Sequence, residues 1–345
     1  MRSDLAVVIT TINPPTPEIR AWLGFGNSTL VVVGDTKTPH ADWKEISLAS
    51  RGKILYFDCE SQEHNFPELS NAIGWETYAR KNIGYLLSKR LGFSDIFETD
   101  DDTFPGPFLT SNSDVPNDLE PTHEAMSSGG IFWNPYHHFA AGKKLWARGT
   151  PLQWINCEQP DAIKIVSVSK EVNPEKNSPN MVQFLVNNEP DLDAIFRLTN
   201  STVAFDFPES VDIVRIPKGL FAPANTQATF FRSISDVTPM YFPSTISLRI
   251  ADILKMYIAQ ACLPLSYGGF NTIQRRNPHD YFSDFVLEIE MYKHAAEWIE
   301  LLSDMSGGAT SVVEAYSLLV QKGFVPAEEL EILRLFEAMA QSLQE

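Results

Sequence analysis

Four short runs that read as strands in the first hundred residues each break off, at the carboxyl end, on a hydroxyl or an acid. Residues 5–10 run into Thr10-Thr11-Ile12-Asn13, and 29–33 run into Gly34-Asp35. Residues 54–57 stop at Asp58, and 94–99 stop at Asp100-Asp101-Asp102. Continuous apolar runs without alternation are the pattern of strands buried on both faces, which are usually parallel and covered by helices. Residues 18–24 and 78–91 supply helical crossovers. The second has Ile83, Leu86, Leu87 and Leu91 along one side and is stopped by Gly92. The pattern predicts an α/β fold, an open and mostly parallel sheet with helices on both faces. Ligands of such sheets bind beyond the carboxyl ends of the strands. Thr10, Thr11, Asp35, Asp58 and the Asp100–Asp102 run therefore mark the expected site.

With 345 residues the chain makes about two domains or one large domain with additions. Residues 103–245 are irregular and rich in Pro, Asn and aromatics, and 103–128 carry almost no periodic signal and read as a mobile loop. Helical spacing returns at 247–262, 285–304, 310–322 and 326–343. An apolar share of 43% excludes wholesale disorder. The net charge of −17 argues against nucleic acid, which needs a basic face. Residues 285–345 hold 11 acidic and 3 basic residues, so −8 of the −17 lies on the C-terminal helices. An anionic ligand elsewhere would then need a local cation, such as a bound metal. Cys59, Cys157 and Cys262 are far apart, form no C-x-x-C pair and read as isolated, mostly buried thiols. No apolar run is long enough to span a bilayer, and the start lacks a signal-peptide core. The sequons at Asn27 and Asn200 then carry no weight, and the expectation is a soluble, cytoplasmic protein.

Three consecutive carboxylates at a strand end stay ionised only if solvated or shared with a cation. In extended geometry Asp100 and Asp102 point the same way and offer two oxygens to one hard ion, Mg²⁺ or Mn²⁺. Such an ion would bridge a diphosphate and stabilise it as a leaving group; a solvated acidic turn is the bland alternative. Asp35 could accept hydrogen bonds from a base or ribose, or cap a turn. Arg80 and Asn82 could face the cleft and hold diphosphate or sugar hydroxyls, or lie on a solvated helix face. Other templates fail. Gly24-Phe-Gly26 precedes a strand rather than following one, and neither a P-loop nor a G-x-S-x-G elbow occurs. His137-His138 lacks further ligands at metal spacing and reads as structural.

Nine stretches carry a resemblance over most of the chain. The first four are Val8-Ile-Thr-Thr-Ile-Asn-Pro-Pro-Thr, Val31-Val-Val-Gly-Asp-Thr-Lys-Thr-Pro39, Tyr78-Ala-Arg-Lys-Asn-Ile-Gly-Tyr85 and Asp100-Asp-Asp. Then come Leu145-Trp-Ala-Arg-Gly-Thr-Pro-Leu152, Pro190-Asp-Leu-Asp-Ala-Ile-Phe-Arg-Leu198 and Ala222-Pro-Ala-Asn-Thr-Gln227. Arg249-Ile-Ala-Asp-Ile253 and Arg276-Asn-Pro-His-Asp280 complete them. With these the sequence resembles the STELLO family of glycosyltransferases and, more distantly, the reversibly glycosylated polypeptides. The resemblance implies a GT-A fold over 1–280, with a nucleotide-binding half (1–105) and an acceptor half (106–280), followed by an acidic helical extension (281–345). It implies a metal-dependent transferase, using Mn²⁺ or Mg²⁺, that moves a sugar from a nucleotide-diphosphate donor, expected to be a UDP-sugar, to a glycan or other hydroxyl acceptor. Thr10, Thr11 and Asp35 would contact the nucleoside, and Arg80 and Asn82 the donor. Asp100 and Asp102 would hold the metal with His279 as a further ligand, and Asp101 would join the donor-binding set. Asn225 and Gln227 would bind the donor sugar. Asp252 or Asp193 would act as base, and Asp191 and Asp193 would contact a sugar or cap a helix. A nucleotide-sugar mutase, a self-glycosylating protein, a non-catalytic scaffold and homo-oligomerisation remain open alternatives.

Overall fold

The computed structural model describes residues 5–25, 28–106, 119–140, 143–155, 166–170, 180–200, 204–208, 212–275, 280–306 and 310–343. The four apolar runs form strands β1 (Leu5–Thr11), β2 (Thr29–Gly34), β3 (Ile54–Phe57) and β4 (Asp95–Thr99). They lie parallel in the order β3-β2-β1-β4, so their carboxyl ends meet at one edge. Burial on both faces explains their composition. One apolar cluster holds Ala6, Val8, Val31 and Val33, and the other holds Val7, Ile9, Leu30 and Val32. The Lys81–Arg90 helix crosses one face, with Gly84 against β1 and β2; a Cβ there would come within 2.6 Å of Val8 Cγ1.

Beyond β4 the sheet is mixed rather than mostly parallel. The remaining strands are β5 (Thr103–Pro105), β6 (His123–Ser127), β7 (Val166–Ser169), β8 (Met181–Asn187), β9 (Ile213–Ile216), β10 (Ala228–Phe231) and β11 (Leu265–Gln274). They extend the order as β4-β10-β8-β11-β9-β6-β7, with β5 paired to β11. β10 runs antiparallel to both β4 and β8, while β11 is parallel to β8. β5 and β6 fall inside 103–128, so at both ends that stretch is strand and not loop. Several of these strands are only three to five residues long, too short for a periodic signal to register.

The Leu248–Cys262 helix is buried along most of its length and is pinned from within. Lys255 Nζ lies 2.6 Å from Glu98 on β4, both side chains are inaccessible, and the Tyr85 hydroxyl donates to the same carboxylate. Burial pushes the Lys255 ammonium down to about 8 despite Glu98. The C-terminal helices Tyr281–Met305, Val312–Gln321 and Glu328–Ser342 share the main apolar core, through Trp298, Tyr316 and Phe336 among others. Glu329 is fully buried and accepts from the Tyr241 hydroxyl and from the backbone amides of Ser244 and Thr245. Among the described residues no helix is long and apolar enough to cross a membrane.

Candidate active site

Two adjoining cavities open at the carboxyl edge of the parallel strands. One, of about 270 Å³, lies between the ends of β1 and β2 against Thr11, Asn13, Asp35 and Arg80. The other, of about 140 Å³, is bordered by Asp100, Asp102, Arg148, Gln227, Asp252 and Gln274. Thr10, Tyr78, Asp101 and Leu248 border both. The edge chosen from strand ends alone is therefore lined by two cavities with polar walls. Thr10 Oγ1 is buried there without a hydrogen-bond partner among the described residues. Buried polar groups are rarely left so, and this one offers a bond to whatever fills the cavity.

The three consecutive acids sit in a turn between β4 and β5, closed by Thr103 N donating to Asp100 O, and not in extended backbone. Each has a different partner. Asp100 Oδ1 is 2.8 Å from the ammonium of Lys81, which is itself inaccessible and also donates to Thr226 O. Asp101 turns back to β1, accepting from Thr11 Oγ1 and, at 2.9 Å, from Asn13 Nδ2; burial raises its carboxyl above the usual range, against those hydrogen bonds. Asp102 Oδ1 accepts from Gln274 Nε2 at 3.0 Å. Asp100 and Asp102 remain partly exposed and face the same cavity. Two hard oxygen donors of that kind fit a Mg²⁺ or Mn²⁺ ion that takes its other positions from phosphates and water. His279 lies outside the described residues, among which no group of three or more His, Cys, Asp or Glu could hold a metal.

Several expected ligands are spent on the protein itself. All five Arg80 N–H groups are committed: to Gln62 Oε1 twice, to Ser70 O and Oγ, and to Gly74 O. Its guanidinium also stacks on Trp75, and burial brings its pKa down to about 10. Arg80 thus builds the wall behind the first cavity and has no donor left for a diphosphate. Asn82 exchanges two 2.8 Å bonds with the backbone of Phe242, so it clamps the helix and cannot hold a sugar. Asp35 accepts from the amides of Thr36 and Glu76, and so fixes the loop over the first cavity. Asp193 is the N-cap of the Ala194–Thr199 helix, accepts from Trp146 Nε1 as well, and is inaccessible. Burial raises it to about 6. It borders neither cavity, which removes it as a base.

Asp252 does reach the second cavity, held by a residue that the strand-end argument passed over. Arg148 donates from its two Nη atoms to Asp252 Oδ1 and Oδ2 at 2.9 and 2.6 Å, and from Nε to Asp191 Oδ1 at 2.9 Å. Burial disfavours its charge, but the two carboxylates outweigh that and hold the guanidinium well above its ordinary value. Asp191 is inaccessible and serves as the counter-ion behind Arg148, not as a sugar ligand. From Asp191 a row of amides leads back to the acidic turn. Asn225 Nδ2 donates to Asp191 Oδ2 and to Gln227 Oε1, Gln227 Nε2 to Gln274 Oε1, and Gln274 Nε2 to Asp102. Asn225 is absorbed in that row; Gln227 also borders the cavity. Arg249 adds a further cation there, paired with Glu288 at its far side.

A parallel β3-β2-β1-β4 unit with an antiparallel neighbour, helices on both faces and carboxylates at the β4 end makes an α/β architecture with its polar edge at the strands' carboxyl ends. The chain is homologous to two Arabidopsis thaliana proteins. It is 23% identical over 354 residues to "Probable glycosyltransferase STELLO1", covering 94% of this chain and 42% of that protein. To "Probable glycosyltransferase STELLO2" it is 24% identical over 301 residues, covering 81% and 36%. The chain thus spans less than half the length of these relatives. No family model matches it. Among solved structures it is similar to S. aureus TarS 1–349 in complex with UDP-GlcNAc (12% identity, 98% of this chain and 91% of that one, TM-score 0.39). It is also similar to the mannosyltransferase PcManGT from Pyrobaculum calidifontis in complex with GDP-Man and Mn²⁺ (8% identity, 99% and 87%, TM-score 0.36).

Proposed function

We propose that this chain is a metal-dependent glycosyltransferase that moves a sugar from a nucleotide-diphosphate donor, a UDP-sugar in the first instance, to a carbohydrate hydroxyl. The observation that carries the reading is the pair of adjoining cavities, with the acidic turn on one side of the second and the Arg148-held Asp252 on the other. The first cavity takes the nucleoside, against Thr10, Thr11 and the loop fixed by Asp35. Asp100 and Asp102 would hold a divalent cation, which would supply charge neutralisation to a departing diphosphate.

The protein's own groups supply the rest. Lys81 orients Asp100, and Gln274 orients Asp102. A carboxylate has about four lone-pair sites, and Arg148 takes one on each oxygen of Asp252. The remaining sites accept a hydrogen bond from the acceptor hydroxyl and then its proton, as that oxygen bonds the anomeric carbon and the diphosphate leaves. Arg148 fixes the orientation of Asp252, and position comes first for a base. The test is hydrolysis of a UDP- and GDP-sugar panel with Mn²⁺, in wild type and Asp102→Ala. Metal-stimulated turnover that falls at least tenfold in the variant is expected. Equal activity in both sinks the metal assignment, and failure of wild type to bind any donor sinks the transferase.

A further inference from the structure

A third cavity, of about 480 Å³, lies on the other side of the segment that carries Arg148. Along residues 145–150 the side chains divide. Arg148 borders the active-site cavity, while Trp146 and Thr150 border this cleft. Gly149 makes the division possible with φ +99°, and a Cβ there would come within 2.7 Å of Ile253. The segment is held rigidly, with Tyr257 Oη donating to Gly149 O at 2.9 Å and Thr150 N donating to Ala147 O.

The wall of the cleft is aromatic, from Phe132, Trp133, Trp146 and Trp154, with the Phe132 and Trp154 rings 5.4 Å apart. Its rim is polar, because His137, His138 and Lys144 border it and are exposed. Within it, Thr150 is 5% exposed and its Oγ1 has no hydrogen-bond partner among the described residues. A buried hydroxyl without a partner is costly, and Thr150 is among the residues that border the cleft. Aromatic walls, a polar rim and an unpartnered hydroxyl on a bordering residue suit a ligand with flat C–H faces and hydroxyl edges. That is the chemistry of a pyranose, and the volume is in the range that encloses a small oligosaccharide.

We propose that this cleft is a saccharide-binding subsite, which seats the sugar units of a neutral oligosaccharide acceptor one or more residues away from the reacting hydroxyl. As an acceptor subsite it rests on the transferase reading; as a saccharide site it does not. His137 and His138, structural by sequence, then serve as rim donors or acceptors to hydroxyls. The experiment titrates the full chain, without nucleotide or metal, with cellohexaose, maltohexaose, xylohexaose and mannohexaose. Tryptophan fluorescence and calorimetry report binding.

Saturable binding of at least one hexaose is expected. Thr150→Val, which keeps the side-chain shape, weakens it about three- to tenfold by removing one hydrogen bond. Trp154→Phe also weakens it, while UDP binding is unchanged in Thr150→Val. No saturable response to any hexaose up to about 10 mM, a weak-binding limit near −3 kcal/mol, overturns the proposal. So does binding that neither variant alters. If a hexaose binds with this dependence but no donor sugar does, the cleft stands and the transferase falls. Donor turnover without hexaose binding gives the converse.

Discussion

Replacing Arg148 by Met removes the cation shared by two carboxylates and leaves a side chain of similar length. Asp191, at 1% side-chain exposure, keeps the Asn225 amide but loses its 2.9 Å charged contact. Asp252, at 12%, loses both Nη bonds and reaches some water from the cavity. Stripping one partner from a buried ion pair costs about 3–5 kcal/mol, because the remaining charge is uncompensated. At roughly 2 °C per kcal/mol for a chain of this size, the melting temperature falls by about 6–10 °C. Arg148→Lys recovers only part of this, since one ammonium cannot make the forked contact to Asp252 and still reach Asp191. The decisive measurement is a double-variant cycle by urea unfolding. Arg148→Met/Asp191→Asn should be more stable than the sum of the singles by at least about 1 kcal/mol, because a neutral amide at position 191 no longer needs the guanidinium. A loss below about 1 kcal/mol in Arg148→Met, or strictly additive losses, would refute the assignment of Arg148 as the shared counter-ion.

Two further outcomes follow from burial. Asp193 is raised to about 6 in the fold against about 3.8 unfolded. The native state therefore binds more protons between those values, and stability falls as pH rises from about 4 to 6, by about 2–3 kcal/mol from this group. In Asp193→Asn that part of the slope should vanish in urea titrations at successive pH values; an unchanged slope contradicts burial of Asp193 as its origin. Gly84→Ala puts a Cβ 2.6 Å from Val8 Cγ1 and should destabilise by about 1–3 kcal/mol although Ala favours helix. A thermal melt at or above wild type would show that β1 and the helix can separate without cost.

The first hundred residues were largely legible because β1, β2 and β4 are buried on both faces, so periodicity and strand ends carry the information. The carboxyl edge followed from that alone. Which cation serves the acidic turn did not follow. Arg80 and Lys81 are adjacent at the junction of a 3₁₀ turn, Tyr78–Arg80, and the Lys81–Arg90 helix, and that junction decides which faces Asp100. A signal was present, since Lys81, Tyr85 and Ser88 form a polar stripe at helical spacing on a helix otherwise buried. Asp193 before Ala194-Ile195-Phe196 also carried the signature of an N-cap, competing with its resemblance to a sugar ligand. Arg148 was hidden for a different reason. Its carboxylate partners lie 43 and 104 residues away, and no local pattern reports a contact of that range.

An amide gives hydrogens at one end and receives them at the other. A row of amides strung between two anions must therefore reverse its sense once, at a member that gives in both directions. Asn225 is that member, its oxygen turned instead to Gln227 N and Gln183 Nε2. Gln227 and Gln274 then have no choice of orientation while both Asp191 and Asp102 are charged. Cancelling the charge of Asp102 does not release the row, because Asn225 Nδ2, held by Asp191, still faces Gln227 Oε1 and so orients Gln227 and Gln274. The acidic turn thus receives an amide donor whose orientation is set from Asp191, the carboxylate that also holds Arg148 against Asp252.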